Sequence, residues 1–399
     1  MNILVISSFA IPHVGGLSTH VQLLVAGLRG RRHDVRLIEG GRTTTSSWAR
    51  VMYRLATFPS RDRYRAWVHR RQVAAMCCAI GEEIGQWRPD LIHSHDPYAS
   101  EAAVRAMDST GIPLVQTVHG PALYEAKMSL GEDNPRYFAC IRESEHQAMT
   151  HCARLIAVDR GQAGILTVDY KVPAAKVVVI GNCVDVLEVR KLSSAAAEQH
   201  AGGVFFLVPR RLVAKTGVRY AIEALARMSS QEAHLVIAGD GPQRQELENL
   251  VLQLELQSRV CFLGSVAREK VLPLFRMAVG VIVPSVPSAG VIEATSLAVT
   301  EAMAAGSVPL ASSIGGLAEL IEDGVTGILV PPGDPAKLAQ AMDRLVIDSD
   351  YRNRIIVGAT RKVETDYSAE RWLDRIERVY CDMAKGPEPA KPSSAVTNA

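Results

Sequence analysis

Residues 204–227 read VFFLVPRRLVAKTGVRYAIEALAR. Val204–Val208 is an unbroken apolar run of strand length, as expected of a parallel strand covered on both faces. Pro209 to Gly217 then interrupts it with Arg210, Arg211 and Lys215, and a helical pattern begins near Val218. A strand that turns directly into a helix is the building unit of a parallel sheet, whose strands need a crossover to return in the same direction. The unit repeats along the chain. In the second half the strand candidates are Val204–Val208, Leu235–Ala238, Val260–Leu263, Val279–Val283, Val308–Ala311 and Ile328–Val330. In the first half they are Asn2–Ser8, Val35–Glu39, Leu91–His95, Leu114–Val118, Leu155–Val158 and Val177–Ile180. The fold class is therefore α/β, with two Rossmann-like, doubly wound parallel sheets.

The 399 residues, 48% hydrophobic, are enough for two such domains, each with its own core. Residues 1–186 form the first and 204–365 the second. Between them Leu187 to Gly203 loses the strand rhythm and gains Ser, Ala and Gly, which predicts a linker. Tyr367 to Met383 reads as a last helix, and residues 385–399, rich in Pro, Ser and Ala, as a disordered tail. Lys and Arg number 44 against 42 Asp and Glu, so no global field selects nucleic acid as a partner. Cys77, Cys78, Cys140, Cys152, Cys183, Cys261 and Cys381 lack metal-ligand spacing and are expected as reduced thiols of a cytoplasmic protein. The first residues, MNILVISSFAIP, lack a basic leader and fit a first strand better than a signal peptide. No apolar stretch is long enough to span a bilayer.

In open parallel sheets ligands sit beyond the carboxyl ends of the strands. After the first strand come Gly15 and Gly16, where backbone can approach a ligand and a helix start offers free N–H groups to a phosphate. No G-x-G-x-x-G follows, so this is not a dinucleotide fingerprint. Arg211 and Lys215 follow the first strand of the second domain, and cations there suit a diphosphate, although such a cluster in isolation would read as a solvated turn. The G-x-G within Ala238 to Pro242 is weak evidence for a ligand, and a plain strand-to-helix turn explains it equally well. The segment around Val266 exposes backbone on which a flat base can dock. Glu293 precedes a helix and Glu301 lies on it, so the two carboxylates bracket Ser296 and Leu297 at the helix start. Glu301 sits among Ala302, Met303, Ala304 and Ala305, a poor setting for a charge without a partner.

With these residues in view the chain resembles the retaining, family 4 type glycosyltransferases of GT-B fold. Glu293-x7-Glu301 followed by Ala302-Met303-Ala304-Ala305-Gly306 carries the resemblance, with Gly315-Gly316, Gly324-Val325-Thr326-Gly327 and Thr117-Val118-His119-Gly120. It implies two domains facing across a cleft, residues 366–384 returning to the first domain, and a nucleotide-sugar donor used as co-substrate without cofactor or metal. It implies that Gly15 and Gly16 meet the donor diphosphate, that His119 lines the reaction centre, and that Arg211 and Lys215 neutralise the leaving group. Glu293 would bind sugar hydroxyls, Glu301 the ribose and Val266 the base, with Ser296 and Leu297 on the donor. Three stretches depart from the family pattern. Ala294, Thr295 and Ser296 replace proline, phenylalanine and glycine, Thr216 stands where a lysine is usual, and Gly181 and Cys183 replace the proline and glycine around Asn182. A sugar-nucleotide epimerase or a non-catalytic nucleotide-sugar binder shares this architecture. Asp348-Ser349-Asp350 has the letters of a metal-binding D-x-D but follows a helix, which predicts a surface turn.

The acceptor stays open among saccharides, lipid-linked sugars and small molecules. Residues 42–71 hold arginines 42, 50, 54, 61, 63, 65, 70 and 71 against one acid, Asp62, with Trp48, Val51, Met52, Leu55, Tyr64, Trp67 and Val68 interleaved. Apolar residues beside cations suit a membrane surface or an anionic acceptor. A helix pair that packs its aromatics and solvates its arginines is the equal alternative.

Overall fold

The computed structural model describes residues 1–11, 16–40, 60–107, 110–194, 203–288 and 292–384. The first domain is built on β1 (Asn2–Ser7), β2 (Asp34–Glu39), β3 (Leu91–Ser94), β4 (Leu114–Val118), β5 (Arg154–Ala157) and β6 (Val177–Val179). These six pair in parallel in the order β2-β1-β3-β4-β5-β6. Its helices are α1 (Gly16–Gly30), α2 (Arg61–Trp87), α3 (Pro97–Ala106), α4 (Ala122–Leu130), α5 (Pro135–His151) and the short α6 (Arg160–Gly164). The second sheet contains β7 (Phe205–Val208), β8 (His234–Ala238), β9 (Val260–Gly264), β10 (Gly280–Val283), β11 (Val308–Ser312) and β12 (Ile328–Val330), parallel in the order β12-β11-β10-β7-β8-β9. Around it lie α7 (Val186–Ser194), α8 (Val218–Arg227), α9 (Arg244–Gln253), α10 (Arg268–Met277), α11 (Leu297–Ala305), α12 (Gly315–Leu320), α13 (Pro335–Ile347) and α14 (Ser349–Asp366). A final helix, α15, spans Ala369–Ala384.

The strands read as continuous apolar runs because both faces of each sheet are covered. Along β1, Leu4 and Ile6 enter one core, with Ile80 of α2 and Ala102 of α3, while Ile3 and Val5 enter the other, with Leu24 of α1. Along β7, Phe206 and Val208 face α8 and α13, and Phe205 and Leu207 face α11. That alternation is the period of two of an extended chain. Each sheet also reverses its winding once, between β1 and β3 and between β7 and β10, and a crevice opens there beyond the strand ends.

The expected linker, Leu187 to Gly203, is corrected over its first part, while residues 195–202 lie outside the described residues. Val186–Ser194 is a helix, and Val186 and Val189 lie in one cluster with Phe205 and Leu207, so the second domain begins at α7. Its serines and lysine sit on a nine-residue amphipathic helix whose buried side is only Val186, Val189 and Ser193. Such a narrow stripe is easily read as loop. After α14 the chain crosses back: Val184 N–H donates to the Tyr367 carbonyl at 3.0 Å and Ala369 N–H to the Val184 carbonyl at 3.1 Å. From there α15 places Trp372, Leu373, Ile376, Val379 and Tyr380 in the core of the first domain against α1. Asp348 accepts from Tyr351 N–H at 2.8 Å and caps α14, so the D-x-D letters belong to a helix start.

Most of the basic segment, residues 42–59, lies outside the described residues, as does Gly15. Of the rest, Asp62 accepts from the N–H groups of Arg136 and Tyr137, and Arg65 donates to Asn134 at 2.6 Å, which fastens the start of α2 to α5. Arg61, Arg63, Arg70 and Arg71 are exposed. Among the described residues no helix is long and apolar enough to cross a membrane.

Candidate active site

The two crevices face each other. Gly16 opens α1, and a side chain added there would meet Leu297 Cδ1 at 3.5 Å, so the N-termini of α1 and α11 approach from opposite domains. A helix N-terminus carries N–H groups without intrahelical acceptors and the positive end of the helix dipole, the physical requirement for holding an anion. Ser296 stands at the N-cap of α11 without capping it by its side chain; its hydroxyl instead accepts from Arg210 at 3.1 Å.

Of the two adjacent arginines after β7, Arg210 is the one turned toward the start of α11. Its guanidinium also donates to Ser285 at 3.2 Å and to Glu293 Oε1 at 2.7 Å. The Arg210 and Glu293 side chains keep 11% and 14% of their surface, so the pair is nearly out of water. Among the described residues Glu293 Oε2 and Arg210 Nε are buried without hydrogen-bond partners. That leaves one acceptor and one donor for a polar ligand to complement. Of the predicted cations, Arg211 is exposed and Lys215 sits half-exposed, its Nζ 3.7 Å from Glu125 of α4 in the first domain. Thr216, at the usual lysine position, is buried and donates to the carbonyls of Arg211 and Val213, closing the turn rather than reaching the cleft.

The loop carrying Glu293 is held from behind. Gly316 N–H donates to the Glu293 carbonyl at 3.1 Å. A Cβ at Gly315, where φ is +45°, would lie 2.2 Å from that carbonyl oxygen, and one at Gly316 would lie 2.4 Å from Thr295 N. Only glycines let α12 lie directly against the loop. Thr295, in turn, accepts from Asn182 of the first domain at 3.0 Å, so a residue that departs from the family pattern makes a bond between domains.

Glu301 has the partner that its apolar surroundings require. Arg268 of α10 donates to it at 2.9 Å and to Glu188 of α7 at 2.6 Å. Burial pushes the Glu301 carboxyl up, and Arg268 opposes that by pulling it down. Val266, two residues before Arg268, lines a groove between β9 and α10 beside Phe262 and Leu263. Arg268 carries no motif; the signal for it was the need of a buried Glu301 for a cation.

On the first domain His119 follows β4, and its ring lies edge-on to His20 of α1, 4.7 Å between centroids. His95, just past β3, lies 5.2 Å from His20 and 4.5 Å from His93, on which it stacks. Below them His93 meets the Tyr380 hydroxyl of α15 at 2.6 Å and Thr117 at 2.8 Å. Burial lowers His20 to about 4 and His93 to about 3, and holds His95 and His119 well below the usual range, so these rings are neutral. Asp96 ties the neighbouring strand ends together by accepting from Ser8 N–H at 2.7 Å and capping α3 at Ala99 N–H.

Sequence comparison places these features in a family. Residues 14–187 match "Glycosyltransferase Family 4" and residues 189–362 match "Glycosyl transferases group 1", so the two descriptions meet at the domain boundary. The chain belongs to the family 4 glycosyltransferases. A glycosyltransferase of Methanocaldococcus jannaschii is 27% identical over 387 residues, covering 92% of this chain and 94% of that protein. A glycogen synthase of Mycobacterium tuberculosis is 26% identical over 410 residues, covering 95% and 94%. Anabaena HepE, solved in complex with UDP-glucose, superposes with a TM-score of 0.73 at 19% identity over 96% of this chain and all of its own, which establishes the GT-B fold. In this glycosyltransferase the helix N-termini and the Glu293 loop therefore line the cleft between the domains.

Proposed function

We propose that this glycosyltransferase moves a sugar from a nucleoside-diphosphate donor to an acceptor hydroxyl with retention of anomeric configuration and without a metal. The observation that carries the reading is the meeting of two helix N-termini, at Gly16 and Leu297, beside the Arg210–Glu293 pair. That arrangement suits a diphosphate whose charge grows as the glycosyl bond breaks. In this scheme the acceptor oxygen bonds to the anomeric carbon on the face the diphosphate leaves. The carbon–oxygen bond to phosphate breaks with its electron pair, and a phosphate oxygen takes the acceptor's proton. Gly15, Gly16 and the start of α11 hold the diphosphate, and Arg211 and Lys215 screen it from the cleft mouth. Glu293 Oε2 accepts a hydroxyl of the transferred sugar, His119 lines that sugar, Glu301 accepts from the ribose, and the backbone at Val266 meets the base. A nucleotide-sugar donor is also what HepE was solved with.

The test is a panel of nucleoside-diphosphate sugars and acceptor sugars assayed with EDTA present, with products analysed for linkage. A product of retained configuration is expected. Inverted product, activity that needs added magnesium or manganese, or an isomerised donor with no transfer would each overturn it. The exposed Arg61, Arg63, Arg70 and Arg71 of α2 suit an anionic acceptor surface. Reversing their charge should release the protein from anionic vesicles in flotation; equal binding by both forms would make these arginines solvated surface.

A further inference from the structure

Three histidines in the cleft have more coordinating capacity than the protein itself uses. The ligand atoms of His20, His95 and His119 all lie within 4.8 Å of one another. Four of their ring nitrogens, His20 Nε2, both of His95 and His119 Nε2, are buried without a hydrogen-bond partner among the described residues. Buried polar atoms are normally satisfied, so three neighbouring rings, each with at least one nitrogen unpartnered among the described residues, call for a ligand. The three come from separate elements, α1 and the ends of β3 and β4, so the core fixes their positions relative to one another.

One of the rings, His20, is also held in the tautomer that a metal needs. Asn182 Oδ1 lies 2.9 Å from His20 Nδ1, and an amide oxygen only accepts, so the proton sits on Nδ1 and the Nε2 lone pair points into the cluster. Asn182 is itself oriented by its bond to Thr295. Metal-binding histidines are set by such an outer hydrogen bond on the other ring nitrogen. A tetrahedral zinc ion with nitrogens at about 2.1 Å places them ~3.4 Å apart and the ring centroids ~5 Å apart. The centroids here are 4.7, 5.2 and 5.9 Å apart, so small rotations of the side chains close the set.

We propose that His20, His95 and His119 form a binding site for a zinc-class divalent cation, with its fourth position open to the cleft. Three imidazoles select zinc, cobalt, nickel or copper and not magnesium or calcium, which prefer oxygen. The ion takes His119 out of contact with the transferred sugar, so it acts as a reversible inhibitor rather than as a cofactor. This last step rests on the donor-site reading above; binding does not.

The experiment strips the full-length protein with chelator and titrates it with ZnCl2 by calorimetry, with no donor present. One equivalent is expected at micromolar affinity or better, falling at least tenfold in His20→Gln and in His95→Gln. Because these rings are buried, both variants are first checked for a wild-type melting profile. Zinc-edge X-ray absorption on the unaltered protein needs no variant and should show three imidazole ligands. No binding, undiminished binding in folded variants, or a sulfur or all-oxygen shell would overturn the site and leave the histidines as partners for sugar hydroxyls. A site that fills with zinc while transfer continues at full rate overturns the inhibition alone.

Discussion

Replacing Arg210 by alanine tests whether the Arg210–Glu293 pair organises the second half of the cleft. The substitution removes bonds to Glu293, Ser296 and Ser285 and leaves Glu293, already with one unpaired oxygen, as a lone charge with 14% of its side-chain surface exposed. Removing one member of a buried pair costs roughly 3–5 kcal/mol. Because both side chains keep some water, the expected loss is about 3 kcal/mol, the lower end of that range. For a domain of this size 1 kcal/mol corresponds to roughly 2–4 °C, so the second domain should melt about 6–12 °C lower. The double variant Arg210→Ala with Glu293→Gln removes the orphaned charge along with its partner and should recover at least half of the loss, a coupling of ~1.5–3 kcal/mol. Scanning calorimetry of the four proteins of the cycle measures this. If Arg210→Ala melts within about 1 °C of wild type, the pair behaves like an exposed ion pair and the reasoning fails.

Arg211→Ala and Lys215→Ala should lower turnover by more than they weaken donor binding, because leaving-group charge is largest in the transition state. Loss of affinity with turnover intact would place them in ground-state binding. Glu301→Gln should weaken binding of a free nucleoside diphosphate, and unchanged affinity in calorimetry would remove Glu301 from the ribose. Stability should fall with acidification: His20 and His93 protonate only at about 4 and about 3 when folded but near 6.5 when unfolded, so between those limits the unfolded state binds more protons. His20 alone accounts for about 3 kcal/mol by the time pH reaches its folded value. A urea midpoint that stays level from pH 7 to pH 4 would contradict the burial of these rings as neutral groups.

The sheets were legible because a strand covered on both faces leaves an apolar run that needs no tertiary information, as in Val204–Val208 and Asn2–Ser8. The α7 helix was hidden because its buried stripe is three residues wide. At the site, the glycines and Glu293 announced themselves by place and pattern, and Glu301 by its incongruous setting. Which of two adjacent arginines turns inward was not legible. Arg210 and Arg211 are identical in type, and the choice is made by Ser285, Ser296 and Glu293, residues that reach the turn only when β7 and β10 lie side by side. The grouping of His20, His95 and His119 depends likewise on the order β1-β3-β4 in the finished sheet, although a histidine at each of two adjacent strand ends was a usable hint.

The crossing of α15 onto α1 sets a timetable for the nascent chain. The first domain's sheet is complete once Val179 has been made, yet Trp372, Ile376 and Tyr380, which close its core, are made after the whole second domain. At ~5–20 residues per second the ribosome needs on the order of ten to forty seconds to cover that stretch. Throughout it the apolar side of α1 around Val21, Leu24 and Leu28 lacks its cover, and His93 lacks the Tyr380 hydroxyl. The first half to be synthesised is therefore the last to be finished, and a chain stopped before Trp372 would leave the ribosome with one closed domain and one open, adhesive one.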